Sequence, residues 1–338
     1  MKTFEIPWVE PGQAFLSLAD DPHLAFLDSA ASGNKHASVS YLCPDPVAIL
    51  RLEVQGEDPF KTLAAWRESQ SPGDHAAPVD WPFAFAGGLV GWLGYDLGRA
   101  ATGLPSRFVP LPDLPGGWFG VYDTVLGFDH GTKRAWILAA ERARAPASHR
   151  LASLAARILQ APIPDKAQNI TPAWQPEMSR TEYNVQLARL RDYIAAGDIY
   201  QANLTLRFTA ARPAQFRAAS LHAALRALSP APFAAYLGCG NGVAIIGASP
   251  ERFLQLTAAG VVESRPIKGT AARHADPAAD AAAACGLLAS VKERAENLMI
   301  VDLLRNDLGQ VCEVGSIKVD PYLAVESYQT VHQLVSTI

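Results

Sequence analysis

The chain has 338 residues, 49% of them hydrophobic and 18% charged, with 29 basic and 33 acidic side chains and a formal net charge of −4. That length suits one large or two medium domains around a sizeable core, and the composition argues against a disordered scaffold. No basic block marks a nucleic-acid partner, and no run approaches the roughly 18 apolar residues of a membrane span.

The N-terminus, MKTFEIPWVE, lacks the apolar core of a signal peptide. Cys43, Cys239, Cys285 and Cys312 form no Cys-x-x-Cys pair and lie near no histidine at zinc spacing. Buried, reduced thiols and a cytoplasmic location are therefore expected.

Along residues 1–140, short apolar runs broken by Gly, Pro and Asp predict strands, among them AFLDSA, FAFAGGLVGWLGY and a hairpin in YDTVLGFDHGTKRAWILAA. Gly87, Gly88, Gly91 and Gly94 lack the lysine of a phosphate loop and do not open a helix, so they are read as sites of close strand packing. Leu151, Leu154, Ile158 and Leu159 have helical spacing. The Pro-rich stretch that follows predicts a linker, which divides the chain into an N-terminal domain, 1–170, and a second domain, 171–338.

In the second half, Ser179 and Glu182 form a capping-box pattern and Gly197 closes the helix that follows. IYQANLTLRF alternates as a strand, and residues 242–270 read as three strands joined by turns. An alanine-rich stretch leads into the long helix LLASVKERAENLMIVDLLRND, which reads as apolar on almost every face. Strands in meandering clusters favour α+β over a doubly wound sheet.

Four motifs carry chemistry. SRPIKGTAAR frames Lys268 between Pro266, which fixes its own φ, and Gly269, which allows a turn. A lysine held this way suits a nucleophile. ASPERF places Glu251 upstream of Lys268, either as a surface turn residue or as a general acid. On the long helix, Glu293, Glu296 and Asp302 interrupt the apolar positions. An acid there is either paired or bound to a hard cation such as Mg²⁺. His332, among alternating apolar residues, reads either as a satisfied core imidazole or as a site residue.

GDIYQANLT, ASPERF, RPIKGT, ERAENLMIVDLLRND and VHQLVST occur in this order and resemble the chorismate-utilising enzymes. The set is similar to the component I chains of aminodeoxychorismate synthases, with those of anthranilate synthases as near relatives. The resemblance is weak before residue 80 and strong after 180. It implies an α+β fold of two antiparallel β-sheets packed as an orthogonal sandwich with helices outside.

The family's aminodeoxychorismate branch resembles P-I-K-G-T, as residues 266–270 do here, where the anthranilate branch resembles P-I-A-G-T. The resemblance thus implies that Lys268 attacks ring carbon 2 of chorismate as a covalent nucleophile. A free lysine has a pKa of about 10.4, so burial or a nearby cation must help deprotonate it. Glu251 is implied as the acid for the leaving 4-hydroxyl, Glu296 as a Mg²⁺ ligand, and His332 as a residue beside the substrate. Gly269 and Thr270 are implied substrate contacts.

Ammonia is expected from a glutamine amidotransferase subunit, since no amidotransferase-type triad is recognisable. A tryptophan pocket is expected from Asp28 and Ser29 with Pro232, Phe233 and Tyr236. Competing readings are an anthranilate synthase component I, an isochorismate or salicylate synthase, and a non-catalytic amidotransferase-binding subunit. The family pattern continues beyond a VHQLVST-like segment. The expectations are accordingly a longer natural protein, negligible activity of residues 1–338, and an unpaired, exposed strand edge near residues 325–338.

Overall fold

The computed structural model describes residues 1–30, 38–54, 56–70, 77–104, 111, 113–142, 145–160 and 172–338. In chain order its first half contains β1 (Lys2–Ile6), α1 (Pro11–Ser17), β2 (Ala25–Asp28), β3 (Val39–Cys43), β4 (Ala48–Leu52), α2 (Pro59–Ser69), β5 (Gly88–Leu93), α3 (Leu97–Thr102), β6 (Gly117–Tyr122), β7 (Thr124–Asp129), β8 (Arg134–Ala139) and α4 (Ala147–Leu159). The second half contains β9 (Gln175–Pro176), α5 (Arg180–Ala196), β10 (Phe208–Thr209), α6 (Ala218–Leu228), β11 (Phe233–Gly238), β12 (Ala244–Ser249), β13 (Gln255–Leu256), β14 (Val262–Glu263), β15 (Ile267–Ala272), α7 (Pro277–Ala289), α8 (Val291–Gly309), β16 (Ala324–Ser327) and β17 (Val331–Val335). Helices and antiparallel sheets are mixed, so the fold is α+β.

The largest sheet has seven strands in the order β1-β8-β7-β3-β2-β11-β12, all antiparallel. One face is covered by α1, α4 and α6 through Phe15, Leu18, Leu151, Leu154, Ile158 and Ala219. The other packs against a three-stranded sheet, β4-β6-β5, through Val125, Leu138, Trp118 and Tyr122. Alternating side chains fill both sides, so the central strands read as nearly continuous apolar runs. The domain boundary expected near residue 170 lies outside the described residues. β11 and β12 follow it in the chain and pair into the sheet begun by β1.

The close-packing reading holds at Gly87, Gly91 and Gly94, whereas a Cβ on Gly88 would meet nothing nearer than 3.9 Å. A Cβ on Gly91 would lie 2.1 Å from the Trp118 carbonyl oxygen and 2.8 Å from Phe119 Cα, both backbone atoms of β6. These atoms cannot swing aside. Gly91→Ala is expected to destabilise the fold by about 3 kcal/mol, read as a lower urea midpoint with an unchanged slope.

Other expectations met a different outcome. Of IYQANLTLRF only Phe208 enters a strand, the two-residue β10 against β9, because alternation alone does not make a strand without a partner ladder. α8 is not buried all round. Its buried residues are Asn297, Val301 and Leu308, while Leu298 and Leu303 are more than half exposed. Its apolar residues are spread around the axis, and only one stripe meets the sheet.

The strand carrying His332 is not an open edge, although β16 before it is an edge strand of the same sheet. β17 is the central strand of β15-β17-β16, paired on both sides, and His332, Gln333, Leu334 and Val335 are buried. Cys43 and Cys239 are buried, and burial pushes both thiols up, Cys239 to about 11, but Cys285 is exposed. No helix among the described residues is long and apolar enough to cross a membrane.

Candidate active site

β15 carries the framed lysine. Its ladder to β17 shifts register between Ile267 and Thr270: Ile267 opposes Val335 and Thr270 opposes Gln333. Lys268 and Gly269 together therefore face the single residue Leu334, which makes them a β-bulge. Gly269 has φ of +91°, and a Cβ there would meet Glu293 Oε2 at 2.9 Å and Leu287 Cδ1 at 3.1 Å. Only glycine fits this position without strain. Bulges bend a strand and re-aim its side chains, and here the bulge falls at Lys268 and Gly269. Lys268 is half-buried and, among the described residues, has no ion-pair partner. Thr270 is exposed on the same strand.

The acid comes to the lysine's strand through the backbone. Glu251 is exposed, and its Oε1 accepts the Ile267 N–H at 3.0 Å. One carboxylate oxygen is thereby tied beside the residue that precedes Lys268. The neighbouring Arg252 is turned away into a salt bridge with Glu263.

α7 and α8 lie against β15. Ser290 caps α8 through the Glu293 N–H at 3.3 Å, which starts the helix so that Glu293 reaches over Gly269. Glu293 and Glu296 share one counter-ion: Lys292 Nζ is 3.1 Å from Glu293 Oε1 and 3.0 Å from Glu296 Oε1. Both carboxylates are partly buried, while Lys292 is mostly exposed. Asp302 is far more open and pairs loosely with Arg305 at 3.6 Å. Among the described residues no group of three or more His, Cys, Asp or Glu side chains forms a metal cluster. Two adjacent carboxylates beside a displaceable ammonium are hard oxygen donors. They suit Mg²⁺, which keeps water and substrate oxygens among its ligands.

His332, on β17, stands between Ala271 on one side and Ser327 on the other. It is 3% exposed and both ring nitrogens are engaged, Nδ1 with Ser327 Oγ at 2.8 Å and Nε2 with Asp280 Oδ1 at 3.0 Å. The Arg273 guanidinium, with help from the His274 N–H and His332, holds the Asp280 carboxyl well below the usual carboxylate range. Asn297 fixes the lower part of β17: Ser336 Oγ donates to its Oδ1 at 2.7 Å, and its Nδ2 donates to the Leu334 carbonyl at 3.4 Å. Sequence reading missed Asp280, Asn297 and Ser327. Asp280 sits in an alanine-rich helix start, where an aspartate looks like one more capping residue.

The five residues expected around tryptophan lie on and beside β2 and β11 of the large sheet. Ser29 Oγ donates to the Pro232 carbonyl at 2.9 Å, so the two segments adjoin. Asp28 is 1% exposed and accepts Arg226 Nε at 2.8 Å and Ser40 Oγ at 3.2 Å. Phe233 lies under the Arg252 guanidinium, and Tyr236 packs edge-on to Phe15 at 4.9 Å.

His222 sits among Phe15, Phe26 and Tyr236 at 1% exposure. Burial, with the nearby Arg226, pushes it down from 6.5 to about 4. Its folded form resists a proton that the unfolded chain accepts, so stability is full above pH 6.5 and is lost as pH falls towards 4. His222→Leu is expected to gain about 3 kcal/mol on wild type across that window. Denaturant titrations at several pH values measure it, and a pH-independent difference would contradict the assignment.

The family profile described as chorismate binding enzyme matches residues 28–338. Aminodeoxychorismate synthase component 1 of Klebsiella aerogenes is 42% identical over 354 residues, covering 98% of this chain and 74% of that protein. Anthranilate synthase component 1 of Streptomyces coelicolor is 35% identical over 349 residues, covering 98% of this chain and 66% of that protein. Aminodeoxychorismate synthase of Streptomyces pristinaespiralis is 42% identical over 268 residues, covering 76% of this chain and 36% of that protein. The chain thus spans from about a third to three quarters of the length of these relatives. The crystal structure of anthranilate synthase component I from Streptococcus pneumoniae superposes with a TM-score of 0.71 at 25% identity, covering 89% of this chain and 68% of that one. With the profile matched over nearly its whole length, the chain belongs to the chorismate binding enzyme family.

Proposed function

We propose that the protein is component I of an aminodeoxychorismate synthase, converting chorismate and ammonia to 4-amino-4-deoxychorismate on the way to p-aminobenzoate. The observation that carries this reading is Lys268 in the β15 bulge, without an ion-pair partner among the described residues, with Glu251 tied to Ile267 beside it. Relatives named aminodeoxychorismate synthase support it.

In this reading the neutral Lys268 amine attacks ring carbon 2. The ring double bonds shift, and Glu251 gives a proton to the departing 4-hydroxyl. Ammonia then adds at carbon 4, the bonds shift back, and lysine leaves. The bulge holds the amine at attack distance, and positioning of this kind supplies much of the rate. Thr270 and the Gly269 backbone line the substrate, and His332 lies near it. A separate glutamine amidotransferase supplies the ammonia, and the protein works in the cytoplasm.

Glu296, with Glu293 beside it, would hold Mg²⁺. The bound ion would supply a positive charge for the substrate's ring carboxylate. Glu296→Gln is expected to raise the half-saturating Mg²⁺ concentration at least about tenfold without lowering the melting temperature. An unchanged Mg²⁺ response would remove Glu296 from the metal site.

The second reading, anthranilate synthase component I, is favoured by the 35% identity to the Streptomyces coelicolor enzyme. Incubation with chorismate, Mg²⁺ and an ammonium salt separates the two. Aminodeoxychorismate is the expected product, whereas anthranilate or isochorismate in its place would overturn the proposal. A tryptophan ligand at Asp28 and Ser29 requires Arg226 to leave Asp28. Calorimetry with tryptophan tests this, a saturable heat supporting the pocket and no heat removing it.

A further inference from the structure

Three residues from three elements form a continuous polar chain around His332. Ser327 ends β16, His332 lies on the central strand β17, and Asp280 lies in the first turn of α7. Ser327 and His332 are register partners, so their side chains share one face of the sheet. α7 packs over β16 and β17 and lowers Asp280 onto the imidazole.

The order of protons along this chain follows from its fixed end. Asp280 is locked by Arg273, with Nη2 to Oδ2 at 2.8 Å and Nε to Oδ1 at 2.9 Å, and its Oδ1 also takes the His274 N–H at 2.8 Å. It is an acceptor only. The ring nitrogen facing it must therefore carry hydrogen, since the partner of one imidazole nitrogen decides which tautomer exists. That nitrogen is Nε2, at 3.0 Å. In the neutral ring Nδ1 is then the lone-pair end, and it faces Ser327 Oγ at 2.8 Å. The imidazole is 3% exposed, while Ser327 is exposed.

We propose that Asp280 is a positioning residue that holds His332 in its Nε2–H tautomer, and that the ring exchanges protons with a bound ligand only through the Ser327 hydroxyl. The second half of this inference rests on the reading that His332 lies beside the substrate. When ammonia forms its bond to the ring carbon, the resulting ammonium nitrogen has one proton to shed. Ser327 Oγ accepts that proton as its own hydrogen passes to Nδ1. The amine becomes neutral, the serine is a hydroxyl again, and the imidazole becomes a cation whose Nε2–H stays on Asp280. No other reactant is needed. The arrangement also gives Arg273 a role: it keeps Asp280 ionised and in place.

The test is nitrogen NMR on the full chain labelled with ¹⁵N-histidine, without chorismate, with the His332 signals assigned from a His332→Gln sample. The expected wild-type spectrum has one tautomer, protonated at Nε2. Asp280→Ala should lose that single state, giving a mixture or protonation at Nδ1, while Ser327→Ala should keep Nε2–H. A wild-type ring protonated at Nδ1, or an unchanged tautomer in Asp280→Ala, overturns the positioning role, and the wild-type reading stands even if that variant does not fold. For the Ser327 outlet, the kcat of Ser327→Ala with chorismate and ammonium should fall about tenfold or more with KM for chorismate unchanged. An unaltered kcat overturns the outlet. If chorismate is turned into anthranilate or isochorismate instead of the amino product, the proposed function fails and the outlet with it, while the NMR result still decides the tautomer.

Discussion

Lys268→Ala is expected to reduce amine transfer to ring carbon 4 about a thousandfold or more while leaving the fold intact. The fold should survive because Lys268 is only half-buried and has no ion-pair partner among the described residues, so its loss leaves no stranded charge. The stability change should stay within about 0.5 kcal/mol, as for a surface substitution. Activity should fall because, in the proposed mechanism, the nucleophile itself is gone. A small yield of anthranilate is the expected trace, since alanine opens the space beside carbon 2 to ammonia. Lys268→Arg should be no better, because a guanidinium stays protonated and cannot attack. Product chromatography separates the outcomes. Incubation with chorismate in the absence of ammonia should add mass to the peptide carrying residues 264–273. Wild-type rates in Lys268→Ala would end the covalent reading.

How much of this site was legible in the sequence depends on what each residue needs. Lys268 and Gly269 were legible because the motif marks local backbone strain: a glycine follows a lysine where the chain takes a φ of +91°. The bulge itself was not, since register is a property of two strands, and β17 begins 64 residues after β15 starts. The capping box at Ser179 and Glu182 was read correctly, being wholly local, with both of its hydrogen bonds present at 2.8 and 3.2 Å. The burial of α8 was misread. Its apolar residues allow several faces, and only packing against β15 and β17 selects the stripe through Asn297, Val301 and Leu308.

Asp280 shows the same limit from the functional side. Its three partners, Arg273, His274 and His332, come from one loop and a strand, and one of them lies 52 residues away. A short-range pattern could predict a helix start near Asp276, whose side chain does cap α7 through the Ala279 N–H at 2.8 Å. It could not predict that the next acid would turn inward. The open strand edge expected near residue 332 failed for a related reason. Alternating apolar residues announce a buried strand, but not which strands cover it, and here β15 and β16 do so on either side.

The largest expected loss of stability lies on another sheet, at Asp28. Its carboxylate is 1% exposed at the end of β2 and faces α6, where Arg226 Nε approaches Oδ2 at 2.8 Å. Burial raises its pKa, and the Arg226 charge and the Ser40 hydroxyl only partly offset that. Asp28 is thus a charge taken out of water and kept there by one guanidinium. Breaking such a pair costs more than the pair is worth, because the surviving partner loses its compensation. Asp28→Ala is expected to destabilise the fold by about 4 kcal/mol, read from urea denaturation near neutral pH. Replacing both partners, Asp28→Leu with Arg226→Met, should recover much of the loss, since an apolar pair of similar volume needs no counter-charge. The sign of the pH dependence follows from burial. The folded state holds a proton on Asp28 more tightly than the unfolded chain does, so the burial cost is absent at low pH and appears as pH rises through the folded pKa. The penalty of Asp28→Ala relative to wild type should therefore be larger at acid pH than at neutral pH. If it is constant, Asp28 does not titrate as a buried acid. If Asp28→Ala is as stable as wild type, the ion pair does not hold α6 to the sheet.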